Sequence, residues 1–320
     1  MRAVVLTARF LFSANYLKVC YNKPYKTKTE DIMDYSQILS QQFNIKEEYA
    51  KNIITLLDDG NTIPFIARYR KEMHGSMDDQ LIREFAEKLE YLRGLDKRRD
   101  EIRSLIDAQE KLTDEINLAL DKAATLSELE DIYRPYRPKR KTRASIAKEK
   151  GLEPLANDIL KQEKGFDPSK SAVDYIDEEK GVTSVEDAIQ GAMDIIAELV
   201  SDNAEIRKRI RNLTNANGVL VSVATDEEKD SVYKNYYDYK EPVKKIAGHR
   251  VLAVNRGEKE GFLKVSVETD SEKPLNSIFR AMITDKNQLC SDIIREACTD
   301  AYQRLIYPSI AREIRNDLTD

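Results

Sequence analysis

Residues Ser127–Ala144 read Ser-Glu-Leu-Glu-Asp-Ile-Tyr-Arg-Pro-Tyr-Arg-Pro-Lys-Arg-Lys-Thr-Arg-Ala. This stretch contains a predicted short helix followed by a basic loop with two prolines. Pro135 disfavours helical geometry in the residue before it, so the helix should end near Tyr133. Pro138 restricts Arg137 in the same way. We therefore predict a short helix followed by a stiff loop.

The loop concentrates positive charge in a chain whose formal net charge is −5. Aromatic rings accompany the cations, because Tyr133 and Tyr136 stand beside the first arginines. Exposed cations and rings suit contacts with the phosphates and bases of RNA or DNA. The alternative is a solvated loop whose cations pair with acidic helices of the same chain. The predicted nucleic-acid-binding residues are Arg134, Tyr136, Arg137, Lys139, Arg140, Lys141 and Arg143.

Composition sets the class of protein. Charged residues make up 34% and hydrophobic residues 41% of the 320 residues, which indicates a helix-rich protein of one to three domains. Cys20, Cys290 and Cys298 form no CxxC pair, so we predict a reducing, cytoplasmic location. No apolar run is long enough to span a bilayer, and we predict no membrane partner.

Residues 1–33 are predicted to be a disordered or non-native extension. Arg9 interrupts their apolar residues, and no small-residue cleavage pattern follows. A signal peptide is the alternative. We expect Met33 to be the true start, because Tyr35–Leu39 begins an amphipathic pattern.

Residues 34–215 are predicted to be helical. Ile45–Asp58 and the segment from Thr62 are separated by a glycine turn, as in a helix-turn-helix, although most such pairs are only packing units. Capping boxes are predicted at Ser127–Glu130 and Thr183–Glu186, the second starting one long helix that continues to Leu213. The basic end of that helix indicates either a phosphate site or a favourable macrodipole interaction. Its cations are Arg207, Lys208, Arg209 and Arg211.

Residues 216–275 are predicted to form a small α/β insert, followed by helices over 276–320. Val219–Val223 and Phe262–Val267 are apolar, β-branched runs that should pair as a two-stranded antiparallel sheet. The tyrosines of Tyr233–Tyr239 either stack on bases or pack together. The segment His249–Glu258 is compatible with a helix or with one arm of a hairpin. The fold class is therefore mainly α, a multi-helical scaffold with a small sheet.

Enzyme motifs are missing from this sequence. It has no GxxxxGK[ST] loop and no GxGxxG fingerprint, and His74 and His249 lack metal-ligand spacing. Cys290 and Cys298 lie eight residues apart, on one face of a helix, where buried thiols are the simplest interpretation. We predict a non-enzyme with no cofactor, no metal and no small-molecule substrate.

Several ordered motifs resemble the Tex family of bacterial transcription accessory proteins. The matching segments, which span about Met33 to Asp320, are Thr62–Glu72, Leu129–Ala144, Glu149–Ala156, His249–Ala253, Arg256–Gly261 and Tyr307–Leu318. The resemblance favours a helix at His249–Glu258. It also implies a helical N-terminal region with helix-turn-helix-like pieces, then an RNase H-like domain, helix-hairpin-helix motifs and an OB-fold RNA-binding domain. Because the chain stops at Asp320 inside a helical pattern, we expect it to end before the RNase H-like domain.

The sequence leaves two functions open. The first is a non-catalytic module that contacts RNA or DNA phosphates weakly through the basic loop. The second is a scaffold that docks on the transcription machinery or on the missing domains, through the helices of Ile45–Arg70 and Asp78–Gln109.

Overall fold

The computed structural model describes residues 28–284 and 286–319. The chain forms two compact units that divide between Lys97 and Arg98. Residues 1–27, most of the predicted extension, lie outside the described residues, as does Cys20. The predicted boundaries near residues 215 and 275 stay a prediction.

The first unit is a group of helices around a compact apolar core. Its helices are α1 (Lys28–Phe43), α2 (Glu47–Asp58), α3 (Ile63–Tyr69), α4 (Lys71–His74) and the first part of α5 (Asp79–Asp107). Its core includes Leu39, Ile53, Ile54, Ile66 and Phe85, all fully buried. A short turn joins α2 to α3, so the predicted alternatives for this pair, a helix-turn-helix and a packing unit, both stay open.

The corner between α3 and α4 is held against α2. Gly75 ends α4 in the left-handed region at φ +66°, and a Cβ there would lie 2.6 Å from the ring of Tyr49. The Asn52 side chain donates to the carbonyl of Met73 at 3.0 Å. His74 is buried, with Nε2 3.1 Å from the carbonyl oxygen of Ile66. The predicted turn or capping role of His74 agrees with this position.

The second unit continues with helices up to the sheet. They are α6 (Asp114–Lys122), α7 (Leu126–Tyr133), α8 (Arg143–Glu149), α9 (Glu153–Lys161), α10 (Pro168–Ala172), α11 (Val185–Asp202) and α12 (Ala204–Asn217). Close packing sets α11 against the segment before α9: a Cβ at Gly191 would lie 2.3 Å from Leu152 Cδ1.

Three local predictions in this region were wrong. Helix α7 begins two residues earlier than predicted, because Thr125 accepts from the amide of Glu128. The cap of α11 is Ser184 and not Thr183. The predicted single helix to Leu213 is two helices, since the Asn203 side chain accepts from the amide of Ile206 and starts α12.

The sheet has three antiparallel strands in the order β2-β1-β3, where two were predicted. The strands are β1 (Val219–Ala224), β2 (Asp238–Pro242) and β3 (Leu263–Glu268). The missed strand β2 is short and polar, and it lies at an edge beside β1. Helix α13 (Gly248–Lys259) follows β2, so the helix predicted at His249–Glu258 is confirmed.

One backbone amide on the outer edge of β3 is bound by a side chain of a neighbouring helix. The amide of Val265 donates to the carboxylate of Glu258 at 3.2 Å. Arg315 holds the other oxygen of Glu258 at 2.8 Å. The edge of β3 is therefore tied to α13.

The chain ends in further helices, and the predicted mainly α fold is confirmed. They are α14 (Glu272–Met282), α15 (Gln288–Asp300), a π-helical turn (Ala301–Ile306) and α16 (Tyr307–Asp317). The core of this unit includes Ile196, Val200, Ile294, Ala297 and Ile310. Of the helices described, none is both long and apolar enough to cross a membrane.

Candidate nucleic-acid interface

The basic loop, residues 134–143, leaves α7 through a 3-10 turn (Arg134–Tyr136) and enters α8. Thr142 fixes its end through a capping box with Ser145, in which each side chain accepts from the other residue's amide. The Thr142 hydroxyl also donates to the carboxylate of Glu198 on α11 at 2.8 Å. The predicted stiffness of the loop thus has a structural basis at its C-terminal end.

Most of the loop's cations pair with acids of the same unit. Lys139 binds Glu198 at 3.1 Å and also Asp202, at the end of α11. The other pairs are Arg137 with Glu130, Arg134 with Asp202 at 3.3 Å, and Lys141 with Glu149 at 3.6 Å. Four of the six predicted phosphate contacts therefore have an internal partner, as the alternative interpretation of the loop required.

Arg140 and Arg143 differ from the other four cations. Both are exposed, and neither forms an ion pair with the residues that the structure describes. Arg143 lies close enough to Asp194 to oppose the effect of burial, which raises the pKa of that carboxyl group. These two guanidinium groups are the cations of the predicted site that face solvent without an ion pair among the described residues.

The two predicted aromatic partners are placed differently. Tyr133 is buried, and the guanidinium groups of Arg98 and Arg137 lie 5.7 and 5.6 Å from its ring centroid. It therefore has no ring face free for a base. Tyr136 is half-buried, and burial raises the pKa of its hydroxyl group.

A buried ion network lies behind the loop, and the sequence interpretation missed it. Asp131, on α7, is only 4% exposed and accepts from Arg207 and Arg211 of α12. Arg211 also donates to Glu313 of α16 at 2.6 Å. Burial opposes the charge of Arg211, but the hydrogen bond to Glu313 and the charge of Asp131 raise its pKa.

This network corrects both interpretations of the basic end of the predicted long helix. All four cations precede the last turn of α12, which has no basic residue, so a favourable interaction with the C-terminal macrodipole does not explain them. Arg207 and Arg211 are buried structural residues and offer no phosphate site. Lys208 pairs with Glu128 at 2.8 Å, which leaves Arg209 exposed. The only signal in the sequence was the four-residue spacing of Arg207 and Arg211, which places both on one face of α12.

A groove of 540 Å³ lies between α6, the end of α7 and the start of α12. Its apolar lining includes Ile116, Leu118, Ile132 and Pro135. Leu118 is more than half exposed. A groove with apolar walls suits an apolar side chain of a partner better than a polyanion.

The tyrosines of Tyr233–Tyr239 interact with their own neighbourhood. Tyr233 is buried, and the rings of Tyr236 and Tyr239 meet edge to face at 5.1 Å. Tyr237 donates to Ser231 at 2.9 Å, and Tyr239 donates to Glu241. These contacts favour the packing interpretation over base stacking.

The remaining candidate groups show no catalytic arrangement. Cys290 and Cys298 are both fully buried, and burial raises the pKa of Cys298 to about 12. Their thiols stay neutral and enclosed, as predicted. His249 is exposed at the start of α13. Within residues 28–284 and 286–319, no group of three or more His, Cys, Asp or Glu side chains is placed to hold a metal ion.

Two family models match the chain. Residues 163–320 match the model described as Tex central region-like, and residues 33–107 match the Tex-like protein N-terminal domain.

Relatives cover most of the chain. The uncharacterized protein YdcI of Bacillus subtilis is 43% identical over 90% of this chain and 41% of its own length. The transcriptional accessory protein Tex of Neisseria gonorrhoeae is 39% identical over 74% of this chain and 31% of its own length. The human S1 RNA-binding domain-containing protein 1 is 30% identical over 92% of this chain and 31% of its own length. The chain thus spans less than half the length of each of these relatives.

Proposed function

The chain belongs to the Tex family, and we propose that it is a non-catalytic, nucleic-acid-associated module of a cytoplasmic transcription accessory protein. The names of two relatives support this proposal, since one is a transcriptional accessory protein and the other is an S1 RNA-binding domain-containing protein. The proposed ligand is RNA or DNA, bound through phosphates.

The observation that carries the proposal is that Arg140 and Arg143, on a braced loop, are exposed and form no ion pair with the described residues. A guanidinium group without an acid partner gains most from a phosphate, because no internal ion pair has to break first. Two such groups support weak, salt-sensitive binding with little sequence preference. Lys141 is a secondary contact, because its 3.6 Å pair with Glu149 is exposed and readily exchanged.

The test is fluorescence anisotropy of a labelled RNA at low salt. Replacing all six loop cations by Gln should abolish the loop's contribution to binding. The variant R140Q/R143Q should account for most of that loss, and R134Q/K139Q for little, because Arg134 and Lys139 are already paired.

The control variant is K170Q/K180Q, which removes the same charge from two exposed lysines elsewhere in the unit. It should bind like the parent chain. If R140Q/R143Q and the control lose affinity equally, net charge explains the binding and the loop has no special role.

A second candidate function is a protein-interaction scaffold. The groove beside α6 favours it, because Leu118 is an exposed apolar side chain in a concave site. We expect L118D to weaken capture of purified RNA polymerase, while the six-Gln loop variant retains it. Capture that survives L118D and disappears in the loop variant would remove this candidate.

A further inference from the structure

An exposed aromatic and basic cluster lies at the corner between α3 and α4, in the first unit. We call it the aromatic–basic surface and define it by Phe65, Arg68, Tyr69, Arg70 and Lys71. Phe65, Arg68 and Tyr69 lie on one face of α3 at helical spacing, while Ile66 on the opposite side is fully buried.

The rings of this surface reach solvent. Tyr69 is 64% exposed and Phe65 is 36% exposed. Their centroids are 5.3 Å apart with a tilt of 41°, and the guanidinium group of Arg70 lies 5.5 Å from the Phe65 centroid. Arg70 covers one side of Phe65, which leaves Tyr69 as the larger open ring.

The cations of this surface carry unmatched charge. Arg68, Arg70 and Lys71 are all exposed, and none is part of an ion pair found among the described residues. Glu72 is the only acidic residue from Ile63 to Gly75. A local excess of positive charge beside open rings is complementary to a polyanion that also presents flat apolar faces.

The backbone beneath the surface is held in place. His74 contacts the carbonyl of Ile66, and Asn52 binds the carbonyl of Met73. The left-handed Gly75 closes α4 directly over Tyr49. The rings and cations therefore project from a fixed corner, and a ligand does not need to order the backbone first.

We propose that the aromatic–basic surface binds a single-stranded nucleic acid, with a base stacked on Tyr69 and phosphates at Arg68, Arg70 and Lys71. The proposal rests on the nucleic-acid role proposed above, but not on the basic loop. Bases of a duplex are stacked on each other and show no face to a protein ring, so a single strand fits this surface better than a double helix.

The test measures affinity for labelled single strands of about twelve nucleotides, within the site sizes of single-strand binders. Loss of one stacked base lowers affinity by roughly 5- to 150-fold, so Y69A should fall in that range. Y69F keeps the ring and should bind like the parent chain. RNA and DNA strands of the same sequence show which of the two the surface prefers.

The chain offers a matched control in Tyr91. This tyrosine is 42% exposed in the same unit and has a single lysine, Lys88, 4.8 Å from its ring centroid. It lies beside Glu87 and Glu90 and lacks a cluster of unmatched cations. Y91A should therefore leave affinity unchanged.

An abasic strand separates stacking from charge. An abasic strand keeps its phosphates and loses its bases, so Y69A should bind it with the affinity of the parent chain. R68Q/R70Q/K71Q should still bind it more weakly than the parent chain does. Equal affinity of Y69A, Y91A and the parent chain for the normal strand would overturn the proposal. The proposal would also be overturned if the parent chain bound a duplex more tightly than a single strand. It would be overturned as well if Y69A lost binding to a protein partner and kept its affinity for single strands.

The two nucleic-acid proposals fail separately. Loss of binding in R140Q/R143Q with no effect of Y69A supports the loop and rejects the aromatic–basic surface. The reverse result rejects the loop and keeps the surface. No effect of either variant rejects both.

Discussion

The basic loop and the aromatic–basic surface both concentrate cations beside tyrosines, but they differ in how much of that charge is available. In the loop, Arg134, Arg137, Lys139 and Lys141 pair with carboxylates of the second unit. In the aromatic–basic surface, no cation has such a pair among the described residues. The loop contains more cations than the surface, but only Arg140 and Arg143 form no ion pair with the described residues.

The same contrast applies to the rings. Tyr133 of the loop region is buried, with two guanidinium groups 5.7 and 5.6 Å from its ring centroid, whereas Tyr69 is mostly exposed. A run of arginines, lysines and tyrosines therefore predicts a binding surface only when the acids that fold against it are also known. The comparison predicts that variants of the loop's paired cations Arg134 and Lys139 affect stability, whereas variants of the surface affect affinity.

The largest expected effect is a loss of stability when the buried ion network around Asp131 is broken. D131A leaves Arg207 and Arg211 without their shared carboxylate, and loss of one partner of a buried ion network costs about 3–5 kcal/mol. Urea unfolding followed by circular dichroism measures the loss. The control is D230A, whose 3.7 Å pair with Lys234 is exposed and should contribute nothing measurable. Equal stability of the two variants would show that the network does not support the fold.

The next effect separates the two clusters by salt dependence. R68Q/R70Q/K71Q should reduce the slope of log affinity against log salt for a single strand by about 2, since each phosphate contact contributes roughly 0.7. Its melting temperature should not change. R134Q/K139Q should show the opposite pattern, a lower melting temperature and an unchanged slope. An equal change of the salt slope in both variants would show that the cations of the loop are as available to phosphates as those of the surface.

A gain of binding is expected when the loop is made to resemble the surface. E198Q/D202N removes the acids that hold Lys139 and Arg134 without changing side-chain volume. The two freed cations should raise the salt slope by about 1.4, because each new phosphate contact adds roughly 0.7. Anisotropy titrations at several salt concentrations measure it. An unchanged slope would mean that the freed cations make no contact with a phosphate of the bound strand.

The smallest effect is expected at the most exposed pair. E149Q frees Lys141 from a 3.6 Å contact that solvent already screens. Stability should stay the same, and affinity for RNA should rise by less than twofold. A larger rise would show that Lys141 is a principal contact of the loop.

Features of short range were predictable from the sequence. Pro135 correctly placed the end of α7 at Tyr133, and Pro64 correctly lay in the first turn of α3. The eight-residue spacing of Cys290 and Cys298 predicted two buried thiols, and both are buried. Each of these predictions depends on residues within two or three turns of each other.

Features of long range were not predictable in this way. Lys139 meets Asp202 across 63 positions of the chain, and Arg207 meets Asp131 across 76. No local sequence pattern identifies partners so far apart. The sequence therefore could not decide whether the loop's cations bind nucleic acid or pair with acids of the same chain. Strand β2 was missed for a similar reason, because its polar residues become a strand only through pairing with β1. Asn203 was overlooked because the helical periodicity continues on both sides of it.

The carboxylate of Glu258 on the rim of β3 also affects how copies of the chain meet. Free amides along the rim of a sheet can recruit an extended strand from another molecule, which begins fibrous aggregation. Here the amide of Val265 is already occupied, and Arg315 keeps the occupying side chain in position. Strand addition to β3 at this point would first have to displace the Glu258 carboxylate.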